Sequence, residues 1–220
     1  MRTTDMADEL FRGPETELPA GVRLATAKRG GVTVTRVEIA REGLARPRGR
    51  YVTLEMPSVS VLDERDTDVI ETGAAELRAL LPPEGPVAAL APGVSGDTGL
   101  TLRQLAAAMV DAVRPASLIC VDSLCSAEAA RLGRTIQFSD TGLHPADARH
   151  ARHLDAAALG VPVIAAGIPT LMDADEGADL VLTPRALDSV IAHGSALLAG
   201  ILNRALQPRL SVAQLCWLTG

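Results

Sequence analysis

The apolar run Leu118–Val121 ends in an aspartate, Asp122. A carboxylate at the end of a buried strand loses solvation, which favours its neutral form and raises its pKa. If a second carboxylate shares its proton, the pair supplies one acid and one base, enough to activate water against an amide without a metal. Two further aspartates follow apolar runs and offer themselves as that partner: Asp97, in the Gly-rich stretch behind Val87–Ala91, and Asp140, behind Thr135–Phe138. Ser95, Thr98, Ser123, Thr141, His144 and Thr170 stand at similar post-strand positions. Loops leaving the carboxyl ends of an open parallel sheet form a ligand crevice, so these groups are read as substrate-binding. The plainer reading of any one such aspartate is a turn former or helix cap, because its side chain readily accepts backbone N–H bonds.

Other chemistries find less support. Asp-Thr-Gly occurs at 97–99 and at 140–142, but the aspartic peptidases built on that tripeptide are all-β, whereas this chain alternates strand and helix patterns. Of the four histidines, His150 and His153 fall in an Arg-rich stretch and His193 in the closing helix, leaving His144 alone near the crevice. One histidine with a carboxylate is a sparse ligand set, so His144 reads first as a loop hydrogen-bonding residue and neither metal nor other cofactor is expected; the alternative reading is a nickel or zinc site on Asp122 and His144. Gly93-Val94-Ser95-Gly96 lacks the Gly-Lys-Ser/Thr of a phosphate loop. Cys120, Cys125 and Cys216 show no C-x-x-C spacing and read as buried, reduced thiols.

Net charge is −6, with basic residues dispersed among acids, which argues against direct nucleic-acid binding. The Arg41–Arg50 run reads as a solvated loop. Met1–Arg12 is acidic where a signal peptide would be apolar, and no uninterrupted apolar run approaches 18 residues. No membrane span is expected, and a cytoplasmic location is.

The elements that must position these residues are legible as periods. The 220 residues, 47% hydrophobic and only 2% aromatic, suit one domain over 1–220 with a core of Ala, Val, Leu and Ile; 1–30 reads as a poorly ordered or extended N-terminal segment. Alternation predicts antiparallel strands at 31–39 and 51–56, and helical spacing predicts a helix over 66–81, stopped by Pro82-Pro83. Beyond it come strands at 87–91, 118–121, 135–138 and 161–166. A helix behind Thr101, helix formers at 126–132, a long closing helix from Thr183-Pro184 and a last short helix capped by Ser211 complete the order. This rhythm predicts an α/β three-layer sandwich with a mostly parallel sheet, plus an N-terminal antiparallel strand pair.

In this order, GVTVTRVEI, YVTLEMP, APGVSGDTGL, LICVDSLCS, TIQFSDTGLHP, LGVPVIAAGIPTLMDA, LTPRALDSVI and NRALQP run from Gly31 toward the C-terminus. The ordered set resembles the spore germination protease family. The resemblance implies an atypical aspartic endopeptidase that degrades small acid-soluble spore proteins in the forespore or spore core, without a cofactor. It also implies a homo-oligomer and a fold related to the hydrogenase-maturation peptidases. By the same resemblance Asp122, in VDSL, takes the place of one of two essential aspartates, and Arg2–Glu9 resembles the start left by the family's autoprocessing cut. Family members carry, between the counterparts of Leu81 and Pro86, a further strand and a Thr-Pro-Asp string with the second aspartate. Here Pro82 to Gly85 bridge that place. Three readings follow: Asp97 partners Asp122, Asp140 does, or the chain is a catalytically degenerate homologue acting as a sporulation-associated binding protein.

Overall fold

Alternating β-branched residues open the fold as a meander. Strand β1 (Val22–Arg29) pairs antiparallel with β2 (Val32–Ile39), and β2 with β3 (Gly49–Glu55). Arg29 pairs with Val32, and just before Val32 Gly31 has φ +83°, a value that glycine tolerates and a tight hairpin uses. The computed structural model describes residues 18–29, 31–44, 46–60, 66–93, 99–144, 153–173 and 181–219.

Four more strands extend this sheet: β4 (Leu118–Ser126), β5 (Thr135–Ser139), β6 (Val163–Asp173) and the short β7 (Val181–Leu182). The order is β1-β2-β3-β5-β6-β4, with β7 also on β6. Only β4 and β6 run parallel; β3–β5, β5–β6 and β6–β7 are antiparallel. The fold is α/β, but the expectation of a mostly parallel sheet is overturned. A parallel return needs a crossover of about a dozen residues or more. The link from β4 to β5 is short and holds a single 3-10 turn, Ala129–Arg131, where a helix was expected.

Two more expectations need correction. Residues 87–91 form no strand: they lie between Pro86 and Pro92, Val87 is 58% exposed and Leu90 55%, and among the described residues no strand pairs with them. Strand β4 continues through Asp122 and Ser123 to Ser126 instead of stopping at Val121. Polar residues are tolerated there because β4 is an edge strand, with β6 its single partner among the described residues.

Helix α1 (Asp66–Arg78) and the closing helix α4 (Leu187–Leu206) pack together on one face of the sheet. Their buried residues, among them Ile70, Leu77, Leu197 and Ile201, join Val34, Leu54, Phe138 and Ile164 in the larger core cluster. The helices approach closely because Gly73 has no side chain: a Cβ there would lie 2.6 Å from Ile201 Cδ1. By length and composition α4 could cross a membrane, yet its stripe Val190, Leu197, Leu198 and Ile201 is spent on this core. Its N-cap is Ala186, without a side-chain bond, so Thr183-Pro184 does not start it as expected. Beneath the helices, Arg36 grips Glu76 through two bonds, one at 2.6 Å, and the Glu76 side chain is 8% exposed.

The opposite face carries a second cluster, in which Val37, Ile39, Tyr51, Leu124, Val163 and Ala165 meet residues of helix α2 (Leu102–Val113) and the short α3 (Ala156–Leu159). Thr101 caps α2 as its sequence predicts, in a full capping box with Gln104. Ser211 does the same for α5 (Val212–Thr219), accepting from the Gln214 N–H at 3.3 Å. Of the cysteines, Cys125 is buried, Cys120 half-buried and Cys216 exposed.

Candidate active site

Asp122 stands in the middle of β4, opposite Gly167 of β6. Side chains alternate across a strand. Leu118, Cys120 and Leu124 belong to the second cluster, so Asp122 shares their face, and Ser123 points to the other. The carboxylate is half-buried. Burial pushes its pKa above the ordinary carboxylate value, against the opposing pull of the Ser123 backbone N–H, which donates to Oδ1 at 2.8 Å. Two residues back, the Cys120 thiol is pushed up to about 11, first by burial and then by the nearby Asp122 charge.

Gly167 keeps the two strands close at this point. A Cβ there would lie 2.2 Å from the Asp122 carbonyl oxygen and 2.8 Å from Leu124 Cγ. Beyond Asp122 the sheet ends: Val121 is 53% exposed, and no strand among the described residues pairs with the outer edge of β4. The arrangement is a carboxyl group whose protonated form is favoured relative to a solvated aspartate, on a strand whose outer edge pairs with no strand among the described residues. A carboxyl group shifted in this direction holds its proton to a higher pH than a solvated aspartate, as a general acid requires.

Other residues expected in the crevice are distributed differently. Ser123 and Thr170 hydrogen-bond to each other through their hydroxyls, on the sheet face opposite Asp122. Asp140 accepts from the Arg50 backbone N–H at 2.7 Å and from Arg50 Nε at 2.7 Å. Because β5 runs antiparallel to β6, Ser139 pairs with Ala165, which lies opposite Cys120. Asp140, one residue further, is therefore about 10 Å along the strands from Asp122 and about as far again across them. They cannot share a proton. Placing both on one rim assumed that β4 and β5 run parallel. Thr141 and His144 follow Asp140 to that other end. The Thr141 and Ser139 hydroxyls bond at 2.7 Å. The His144 ring is bonded to the Thr141 carbonyl, and burial, with smaller contributions from His153 and Arg46, holds its pKa below the usual histidine range. Ser95, Asp97 and Thr98 lie outside the described residues.

Reasoning from sequence overlooked one group. His144, His153 and Asp155 present ligand atoms all within 4.8 Å of one another. The signal was available in the two runs Leu143-His144 and His153-Leu154, which place a histidine beside a leucine in mirror order, as two antiparallel segments need.

Comparison with known proteins gives this arrangement a context. A family model described as "Germination protease" matches residues 82–176. A germination protease of Clostridium perfringens is 25% identical over 278 residues, covering 81% of this chain and 86% of the relative. That alignment is longer than the whole 220-residue chain, so a substantial share of its positions is filled by the relative alone. The germination protease of Halalkalibacterium halodurans is 40% identical over 110 residues, covering 49% of this chain and 28% of the relative. That of Caldanaerobacter subterraneus subsp. tengcongensis is 31% identical over 221 residues, covering 76% of this chain and 67% of the relative. Similarity at this level reaches well beyond the strand that bears Asp122 and takes in most of both chains: this chain belongs to the germination protease family.

Proposed function

We propose that the chain is an endopeptidase that cleaves extended small acid-soluble spore proteins by aspartic-type hydrolysis, in the cytoplasm of the forespore or spore core. The observation that carries this reading is Asp122: a half-buried carboxyl with a raised pKa on a strand whose outer edge pairs with no strand among the described residues. An extended substrate segment can add to such an edge through main-chain hydrogen bonds, which brings its peptide groups alongside the strand that carries the acid. Asp122 holds a proton for the departing amine, and Asp97 is the candidate base for the attacking water. Asp140, engaged by Arg50, is set aside. Core clusters on both sheet faces support a three-layer arrangement, and self-association into a homo-oligomer is part of the same reading.

The test is incubation of the purified chain with a small acid-soluble spore protein, with fragments read by mass spectrometry. Cleavage should fall by about 10²–10⁴-fold in both Asp122→Asn and Asp97→Asn, the range expected for losing a general acid or base. Retained cleavage in Asp122→Asn refutes the mechanism.

A second reading is a catalytically degenerate homologue that binds such proteins without cutting them. It is favoured by one fact: among the described residues, the Asp122 carboxylate accepts from a backbone N–H and no second acid contributes to its raised pKa, which burial dominates. Substrate binding with no fragments at any pH between about 4 and 9 selects it.

A further inference from the structure

Leu143 and Leu154 exchange two backbone hydrogen bonds, each 3.0 Å, and are buried at 0% and 1% exposure. In an antiparallel pair, the residues flanking such a hydrogen-bonded pair face each other at the closer, non-hydrogen-bonded spacing. His144 is therefore directly opposite His153, and Gly142 directly opposite Asp155. Side chains alternate, so with both leucines turned into the core, His144, His153 and Asp155 share the outer face of this small ribbon. Gly142 permits the close pairing: its φ is +82°, and a Cβ there would lie 2.1 Å from the Leu154 carbonyl oxygen and 2.9 Å from Asp155 Cα.

We propose that His144, His153 and Asp155 form a binding site for one divalent transition-metal cation of the zinc class. The orientation of each group supports it. His144 Nε2 is 2.7 Å from the Thr141 carbonyl oxygen. A carbonyl only accepts, so Nε2 carries the hydrogen and the Nδ1 lone pair faces outward. Second-sphere carbonyls orient metal-binding histidines in this way. That Nδ1 lies 2.8 Å from Nδ1 of His153, with the rings tilted at 51° rather than stacked. Asp155 is fixed at the N-cap of α3, where Oδ1 accepts from the Ala158 N–H at 2.8 Å. An oxygen of its carboxylate lies within 4.8 Å of the histidine ligand nitrogens.

Tetrahedral zinc at about 2.0–2.1 Å from each ligand requires ligand atoms about 3.3 Å apart. Small rotations reach that from the present spacing, and His153 is exposed and free to make them. Two nitrogens and one carboxylate oxygen leave a fourth position for water or for an anionic group of a bound molecule. The site lies at the end of the sheet remote from Asp122 and depends on no assumption about peptidase chemistry.

The experiment is titration of the chelator-treated full chain with Co²⁺ followed by its visible absorption, then competition with Zn²⁺. One equivalent of Co²⁺ should bind with a tetrahedral or five-coordinate spectrum, and Zn²⁺ should displace it. His153→Ala, at an exposed position, should weaken binding at least about 10-fold. Asp155→Asn preserves the helix cap and should weaken it comparably. Cys216→Ser should leave it unchanged. Circular dichroism confirms that each variant is folded. The assignment is overturned if no saturable binding occurs at micromolar Co²⁺ or Zn²⁺, if His153→Ala binds as tightly as the parent, or if Cys216→Ser abolishes binding.

Discussion

Replacing Gly167 by alanine sets two effects of opposite sign against each other. On conformational grounds the change helps, since glycine within a strand costs about 0.5–1 kcal/mol relative to alanine. On packing grounds it harms: the new methyl would lie 2.2 Å from the Asp122 carbonyl oxygen and 2.8 Å from Leu124 Cγ. Leu124 is itself fully buried, and the carbonyl belongs to the backbone, so neither moves aside without disturbing the β4–β6 ladder. Overpacking of this kind costs about 1–3 kcal/mol, and each backbone hydrogen bond lost adds about 0.5–1.5. Packing wins, and the net expectation is a loss of about 1–3 kcal/mol. For a chain of this length, at about 2–4 °C per kcal/mol, that lowers Tm by roughly 2–12 °C. Thermal unfolding followed by circular dichroism measures it, with Gly85→Ala as the control. Gly85 has no atom within 4 Å of its added Cβ and no positive φ, so its replacement should be neutral or slightly stabilising. Equal or higher Tm for Gly167→Ala would refute the close-approach argument, and with it the placement of Asp122.

Further outcomes follow from the buried charges. The folded pKa of Asp122 is raised, so between its unfolded value of 3.8 and the folded one the native state binds more protons than the unfolded state, and stability falls as pH rises through that window. Asp122→Asn should therefore be more stable than the parent at neutral pH, with the difference vanishing below about pH 3.8, as urea melts across pH would show. A parent that loses no stability relative to the variant on going from acid to neutral pH would contradict the desolvation. Arg36→Ala leaves the Glu76 carboxylate buried without its guanidinium. Since Arg36 itself is 45% exposed, the cost should be about 1–3 kcal/mol rather than the full penalty for a deeply buried pair. Urea denaturation should also show much of the loss recovered in Arg36→Met combined with Glu76→Leu.

What the sequence reveals about this fold depends on whether the information is local. Thr101 and Ser211 could be read as caps because a capping box lies within four residues, whereas Pro82-Pro83 only bounds α1, which ends earlier, at Arg78, than the expected 81. Strand direction is not local. The run Thr135–Phe138 looks the same whether it enters the sheet parallel or antiparallel, and only its pairing with Tyr51–Glu55 on one side and Gly167 on the other decides. That decision separates Asp140 from Asp122. Residues 87–91 form an apolar run, but three of the five are alanine and a strand also needs a partner. The His144–His153–Asp155 group escaped notice because its members are brought together by a single pair of buried leucines rather than by spacing along one element.

Among the described residues, strand β4 is joined to the sheet by one strand seam. Its register with β6 is parallel and slips between Leu124 and Cys125, whereas β2, β3 and β5 are each stitched on both sides. Amide protons from Leu118 to Ser126 should thus exchange with solvent ahead of those in β3 and β5, through openings that release the rim and leave the interior closed. Exchange along β4 would thus report the opening of that one seam rather than the melting of the whole fold.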